Sequence, residues 1–125
     1  MATPLLLTYN LDPSTAEKLS ALCTNMGIAL REVRPFEYSL PIGALAGLPF
    51  SGAGKSSLSP ALPGEMLVIC HMLSDQLDAL LVGMRAAGIP RIALKAVLTP
   101  NNVTWDSVKL YGELTREHEA MKRRS

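Results

Sequence analysis

Cys70-His71 is the one place where a thiol and an imidazole are neighbours in the chain. A thiol beside a histidine is the raw material of nucleophilic or metal chemistry, and the end of a strand is where ligands bind in open α/β sheets. Adjacent strand residues point to opposite faces, so the two side chains diverge, and a buried Cys with a partly exposed His is the plainer expectation. His118 falls on the apolar face of a C-terminal helix and reads as a packed or boundary residue. Asp75 and Asp78 open a helix, where negative charge suits the helix dipole. A general acid/base pair needs environments that drive its two titrations apart, and nothing in their setting does so.

Ser51-Gly52-Ala53-Gly54-Lys55-Ser56-Ser57 imitates a phosphate-binding loop. Such a loop needs a Gly with four residues between it and its Gly-Lys-Ser, on a turn that leaves a strand and opens a helix. Pro49 holds that position, and it lacks the N–H that would be aimed at phosphate. Leu58-Ser59-Pro60 then obstructs a helix. A loop is expected. No Asp/Glu/His/Cys cluster has the spacing of three or four metal ligands, so neither a metal nor another cofactor is expected.

Lys95-Ala96-Val97-Leu98-Thr99-Pro100-Asn101-Asn102-Val103-Thr104-Trp105 is the strongest local signature. A strand runs into a turn dense in amides and hydroxyls, followed by the chain's only Trp. Asn and Thr side chains can fix such a turn on their own backbone, and Trp105 can anchor the next helix on the core. The functional alternative is a polar lip with one aromatic wall, formed by Thr99, Asn101, Asn102 and Trp105, for a small ligand.

These residues need a scaffold, and the chain suggests one by presenting a βαβ pattern twice. Leu5 to Ile28 lies on Met66 to Ile89 without a gap, and after a three-residue insertion Ile28–Val33 meets Ile92–Val97. Asp12 and Pro13 open the first helix, and Gly27 closes it with a left-handed cap. Ser74 is expected to cap the second helix, Gly88 to replace Gly27, and Ile92–Leu98 to form the last strand. Ser39 to Leu48 can hold a short helix, and residues 50–64 read as a mobile loop. Thr104 is expected to cap the final helix, with Trp105, Val108, Tyr111, Leu114, His118 and Met121 along one face.

A single domain of 125 residues follows. It divides into a first βαβ unit (1–35), a helix and loop (36–64), a second βαβ unit (65–98), and a turn with a C-terminal helix (99–125). The fold class expected is α+β: a two-layer, ferredoxin-like βαββαβ sandwich with an extra C-terminal helix. The alternative is a small doubly wound parallel α/β sheet. Strands 1 and 3 are central in both, and their near-continuous apolar character asks for cover on both faces.

Three stretches sharpen the reading. Met66–Cys70 is followed by Ser74–Leu81 in the pattern Ser-Asp-x-x-Leu-Asp-x-Leu-Leu. Lys95–Trp105 follows, and then Glu113–Glu119 as Glu-Leu-x-x-Glu-His-Glu. Together they resemble a bacterial family known only as a domain of unknown function. The resemblance extends more loosely to Ile42–Gly47, which is similar to a short helix in the family's middle. Members tend to carry Gly-Phe or similar after the third strand, where this chain has His71-Met72. The resemblance implies no activity and no site residue.

Twelve Lys/Arg against eleven Asp/Glu leave a net charge of +1, without the basic surface that nucleic acid or anionic lipid selects. No apolar run approaches the roughly 18 residues of a membrane span. Two isolated cysteines suit a reducing compartment, so a soluble cytoplasmic protein is expected. The function expected is a small ligand-binding or regulatory interaction module, non-catalytic, with a possible homodimer and a possible small-molecule ligand. The alternative is a small enzyme using His71 and the Thr99–Trp105 turn. Third comes a sheet-surface nucleic-acid binder, for which Tyr9 is the one aromatic on a central strand.

Overall fold

Alternation of apolar side chains across two strands sets the architecture. In the computed structural model, which describes residues 3–47 and 62–124, β1 (Leu5–Tyr9) and β3 (Met66–Cys70) form the centre of a four-stranded sheet of order β2-β1-β3-β4. Leu6, Leu67 and Ile69 point to one face and Leu7, Tyr9, Met66, Val68 and Cys70 to the other. Each set meets its own core, which is why both strands read as unbroken apolar runs.

The first core lies under α1 (Pro13–Met26) and α3 (Ser74–Ala86), which contribute Leu19, Cys23, Leu80 and Met84. On the opposite face lie a 3-10 turn (Pro35–Glu37), α2 (Ile42–Leu45) and α4 (Ser107–Arg124). Tyr38, Ile42, Leu45 and Leu110 are buried there. The fold is thus an α+β sandwich with a mixed sheet, and the C-terminal helix covers the second face as its apolar stripe demands. β1 pairs in parallel with β2 (Ala29–Glu32), β3 in parallel with β4 (Lys95–Val97), and β1 with β3 antiparallel. The antiparallel centre excludes the all-parallel alternative. Within the sandwich each βαβ unit keeps its own two strands side by side.

Aligned positions of the two units share unusual conformations. Gly27 and Gly88 both have left-handed φ, of 71° and 75°. Each ends its helix in the same bonding pattern: Ile28 N–H donates to Cys23 O at 2.9 Å, and Ile89 N–H to Met84 O at 3.0 Å. Asn10 and His71, at matching strand ends, have φ of 58° and 60°. Leu7 pairs with Val68 at the middle of the β1–β3 ladder, and Leu22 of α1 meets Gly83 of α3. Both contacts join residues that stand at equivalent positions when the two units are aligned in sequence.

Several sequence expectations need correction. The sheet pairs Leu6 with Leu30 but Leu67 with Lys95, so Leu30 corresponds to Lys95 and not to Leu94. The last strand is confined to Lys95–Val97; Ile92 is buried in the preceding connection. Leu73, with φ −76° and ψ 161°, is the cap of α3 in place of Ser74, and the Gln76 side chain accepts its N–H at 2.9 Å. Asp106, and not Thr104, caps α4 by accepting Lys109 N–H on Oδ1 at 2.8 Å. The delay has a long-range cause, because Trp105 O accepts Ile42 N–H at 2.8 Å and Asp106 bridges Pro41, which commits the chain past Thr104 to pairing with the start of α2. The buried face of α4 is correspondingly rotated onto Ser107, Leu110, Tyr111 and Leu114, leaving Val108 and Met121 exposed. Ser51–Ser57 and most of the expected 50–64 loop lie outside the described residues.

Candidate functional site

The free edge of β4 is bordered by cavities: one beside His71, one under the Thr99–Trp105 turn, and one between the end of α3 and Lys95. β4 is an edge strand of three residues, so its outer side is open to other groups.

Burial and geometry separate Cys70 from His71. Cys70 lies wholly within the core beneath α2 and α4, where burial pushes its thiol up to about 12. A thiol so placed stays protonated at neutral pH and is a poor nucleophile. His71 turns the other way and its Nε2 lies 3.2 Å from Ala46 O, at the end of α2. The Nε2–H tautomer donates there. Asn10, its aligned counterpart, donates through Nδ2 to Leu62 O at 2.8 Å and to Gly64 O at 3.2 Å. Each left-handed residue at a strand end therefore ties down part of the connection between the two units. Asn and His are among the non-glycine residues that tolerate this conformation best. His71 also lines a cavity of about 630 Å³ with Met72, Leu73, Gln76, Val97 and Leu98.

The turn is built from its own side chains. Asn102 Oδ1 accepts Thr99 N–H at 2.9 Å, and its Nδ2 donates to Val97 O at 3.0 Å. Thr99 Oγ1 accepts the N–H groups of Asn101 and Asn102, both at 3.2 Å. Asn102 is buried by this work, whereas Thr99 and Asn101 stay exposed. Trp105 is half-buried against the core, and Lys109 Nζ stands 4.9 Å from its ring centroid, within cation–π range. Thr99, Asn101, Asn102 and Trp105 together line one cavity of about 350 Å³. The same space receives Lys95 from β4 and Glu113 and Glu117 from α4, three charged residues that turn-focused sequence reasoning did not collect. The spacing of Glu113 and Glu117, one helical turn apart, was the available signal. His71 lies outside this cavity; the two share Val97 as a wall.

Tyr9 is fully buried, its hydroxyl 2.7 Å from Ser107 Oγ, so it offers no surface for base stacking. Among the described residues, no three His, Cys, Asp or Glu gather in a way that could hold a metal ion. Likewise no described helix is long and apolar enough to cross a membrane.

Neither the curated proteins nor the solved structures contain a match to the chain. The model of one family, a domain of unknown function (DUF3783), matches residues 65–121. That span holds β3, α3, β4 and most of α4. Over it, with the β4 edge and all three of its cavities inside or beside the match, the chain is similar to a domain of unknown function.

Proposed function

We propose that the chain is a non-catalytic small-ligand-binding module whose ligand occupies the cavity between the 99–102 turn and α4. The observation that carries this reading is the make-up of that cavity. Its volume of about 350 Å³ falls in the roughly 300–1,000 Å³ range of small-molecule sites. One wall is the half-buried Trp105, and Lys95, Glu113 and Glu117 supply both signs of charge. A small polar molecule with a flat face, carrying both donors and acceptors, suits these walls. The protonated Cys70 thiol and the tethered His71 ring support binding over catalysis.

Our reading places the module in a reducing compartment such as the cytoplasm. Cys23 and Cys70 are both free and buried, in cores on opposite faces of the sheet. It also treats the two βαβ units as an internal repeat, supported by the paired left-handed residues Asn10/His71 and Gly27/Gly88.

The test is native mass spectrometry of the purified protein, joined to the fluorescence of its single Trp. A small molecule should be retained by the wild type and lost from Trp105→Ala and Glu113→Gln. A ligand-free wild type, whose fluorescence no small polar metabolite shifts, would refute the assignment.

A further inference from the structure

We propose that the cleft between the end of α3 and β4 is a second binding site, for a small organic anion with an apolar body. Every charged residue lining it is a cation: Arg85 in the last turn of α3, Arg91 in the connection, and Lys95 on β4. No carboxylate shares the lining. None of these three cations is paired with an acidic side chain among the described residues. In a chain of net charge +1, such a gathering is local and not a reflection of general basicity.

Arg85 has an ordinary explanation, since a cation at a helix C-terminus meets the last carbonyls. Arg91 has none, and Lys95 is tied only to the carbonyl of its own connection. Burial, and then the neighbouring Arg91, hold Lys95 below the usual lysine range. Its Nζ donates to Ile92 O, which leaves further donor capacity on the ammonium. Two like charges lining one cleft, one of them partly desolvated, repel each other, and a bound anion relieves both the repulsion and the lost solvation.

The rest of the cleft decides what kind of anion. Met84, Ile89 and Ile92 are buried at 6%, 8% and 1% exposure and form its apolar floor. The volume of about 500 Å³ holds more than a bare inorganic ion. A carboxylate or similar head on Arg91 and Lys95, with its hydrocarbon or aromatic body over Met84, Ile89 and Ile92, satisfies both halves. The cleft and the turn cavity share only Lys95, so Arg91 tests this site alone.

The probes are 2-naphthoate, its neutral counterpart 2-naphthalenemethanol, and inorganic phosphate, titrated calorimetrically into the full chain. Naphthoate should bind at least ten-fold more tightly than the alcohol. Arg91→Met and Lys95→Met should each erase that difference, with Lys95→Arg restoring it and circular dichroism unchanged in Arg91→Met. Equal binding of acid and alcohol, or a preference for the acid that survives Arg91→Met, overturns the proposal. Phosphate binding as tightly as naphthoate overturns the apolar half of it.

Discussion

At the scale of single residues, Asn102 does the most with the least surface. One buried amide accepts Thr99 N–H and donates to Val97 O. Removing it strands a backbone donor and acceptor at the end of an edge strand, and because both belong to exposed residues that water can reach the cost sits near the low end, about 1 kcal/mol, of the penalty for a buried orphan. Asn102→Ala should therefore lower unfolding stability by roughly that amount, read as a shift in urea midpoint. Asn102→Asp should do no better, because a carboxylate keeps the acceptor but sets negative charge against the Val97 carbonyl. A midpoint within a few tenths of a molar of wild type for the Ala variant would show that water replaces the amide at no loss. The bond to Val97 O also occupies one acceptor on the free side of β4, so the same variant should self-associate more readily by sedimentation. His71 belongs to the same class of residue. Its place at the end of β3 was legible in the sequence; its left-handed backbone and its bond to Ala46 O were not, because they depend on a segment distant in the chain.

At the scale of elements, the contact between α1 and α3 is decided at one pair. An ideal Cβ on Gly83 would stand 3.0 Å from Leu22 Cδ1. The helices approach closely there because one of two aligned residues has no side chain. Gly83→Leu should cost about 1–3 kcal/mol by overpacking, whereas Gly83→Ala sets a gain in helix propensity against a contact that Leu22 must yield to. A Leu variant as stable as wild type in thermal unfolding would mean that α1 and α3 can slide apart freely. The central strands, both βαβ units and the glycine caps were legible because each follows from local pattern: unbroken apolar runs, Asp12-Pro13, Gly27 and Gly88. The start of α4 was not, since Thr104 is an ordinary local cap. Pairing of Ile42 and Gly43 N–H with Trp105 and Val103 carbonyls moves the start to Ser107 and turns the helix face with it. The candidate site divides the same way. The turn residues announce themselves by composition, while Lys95, Glu113 and Glu117 join them only once α4 has docked.

At the scale of the whole molecule, the sheet separates two cores, and each encloses one thiol. Cys23 lies in the core under α1 and α3, Cys70 in the core under α2 and α4. Burial raises Cys23 from an ordinary value of 9.0 to about 11 and Cys70 to about 12. The sign of the linkage follows from which state releases protons first. Above pH 9 the unfolded chain loses both thiol protons while the folded chain keeps them, so ionisation favours unfolding. The stabilising contribution is complete below pH 9, and it is lost up to about pH 11 for Cys23 and about pH 12 for Cys70. Within that window each thiol adds a slope of about 1.4 kcal/mol per pH unit. Tyr9, also raised by burial, acts in the same direction from higher pH, and Lys95, held low, acts against it. Comparing wild type with Cys70→Ala removes those shared contributions. The substitution changes packing by an amount independent of pH, so only the difference in slope reports the thiol. Urea unfolding between pH 8 and 10.5 should show wild-type stability falling more steeply than that of the variant, the two curves converging as pH rises. Parallel curves would mean that Cys70 ionises as readily folded as unfolded, and the core beneath α2 and α4 would then have to admit water.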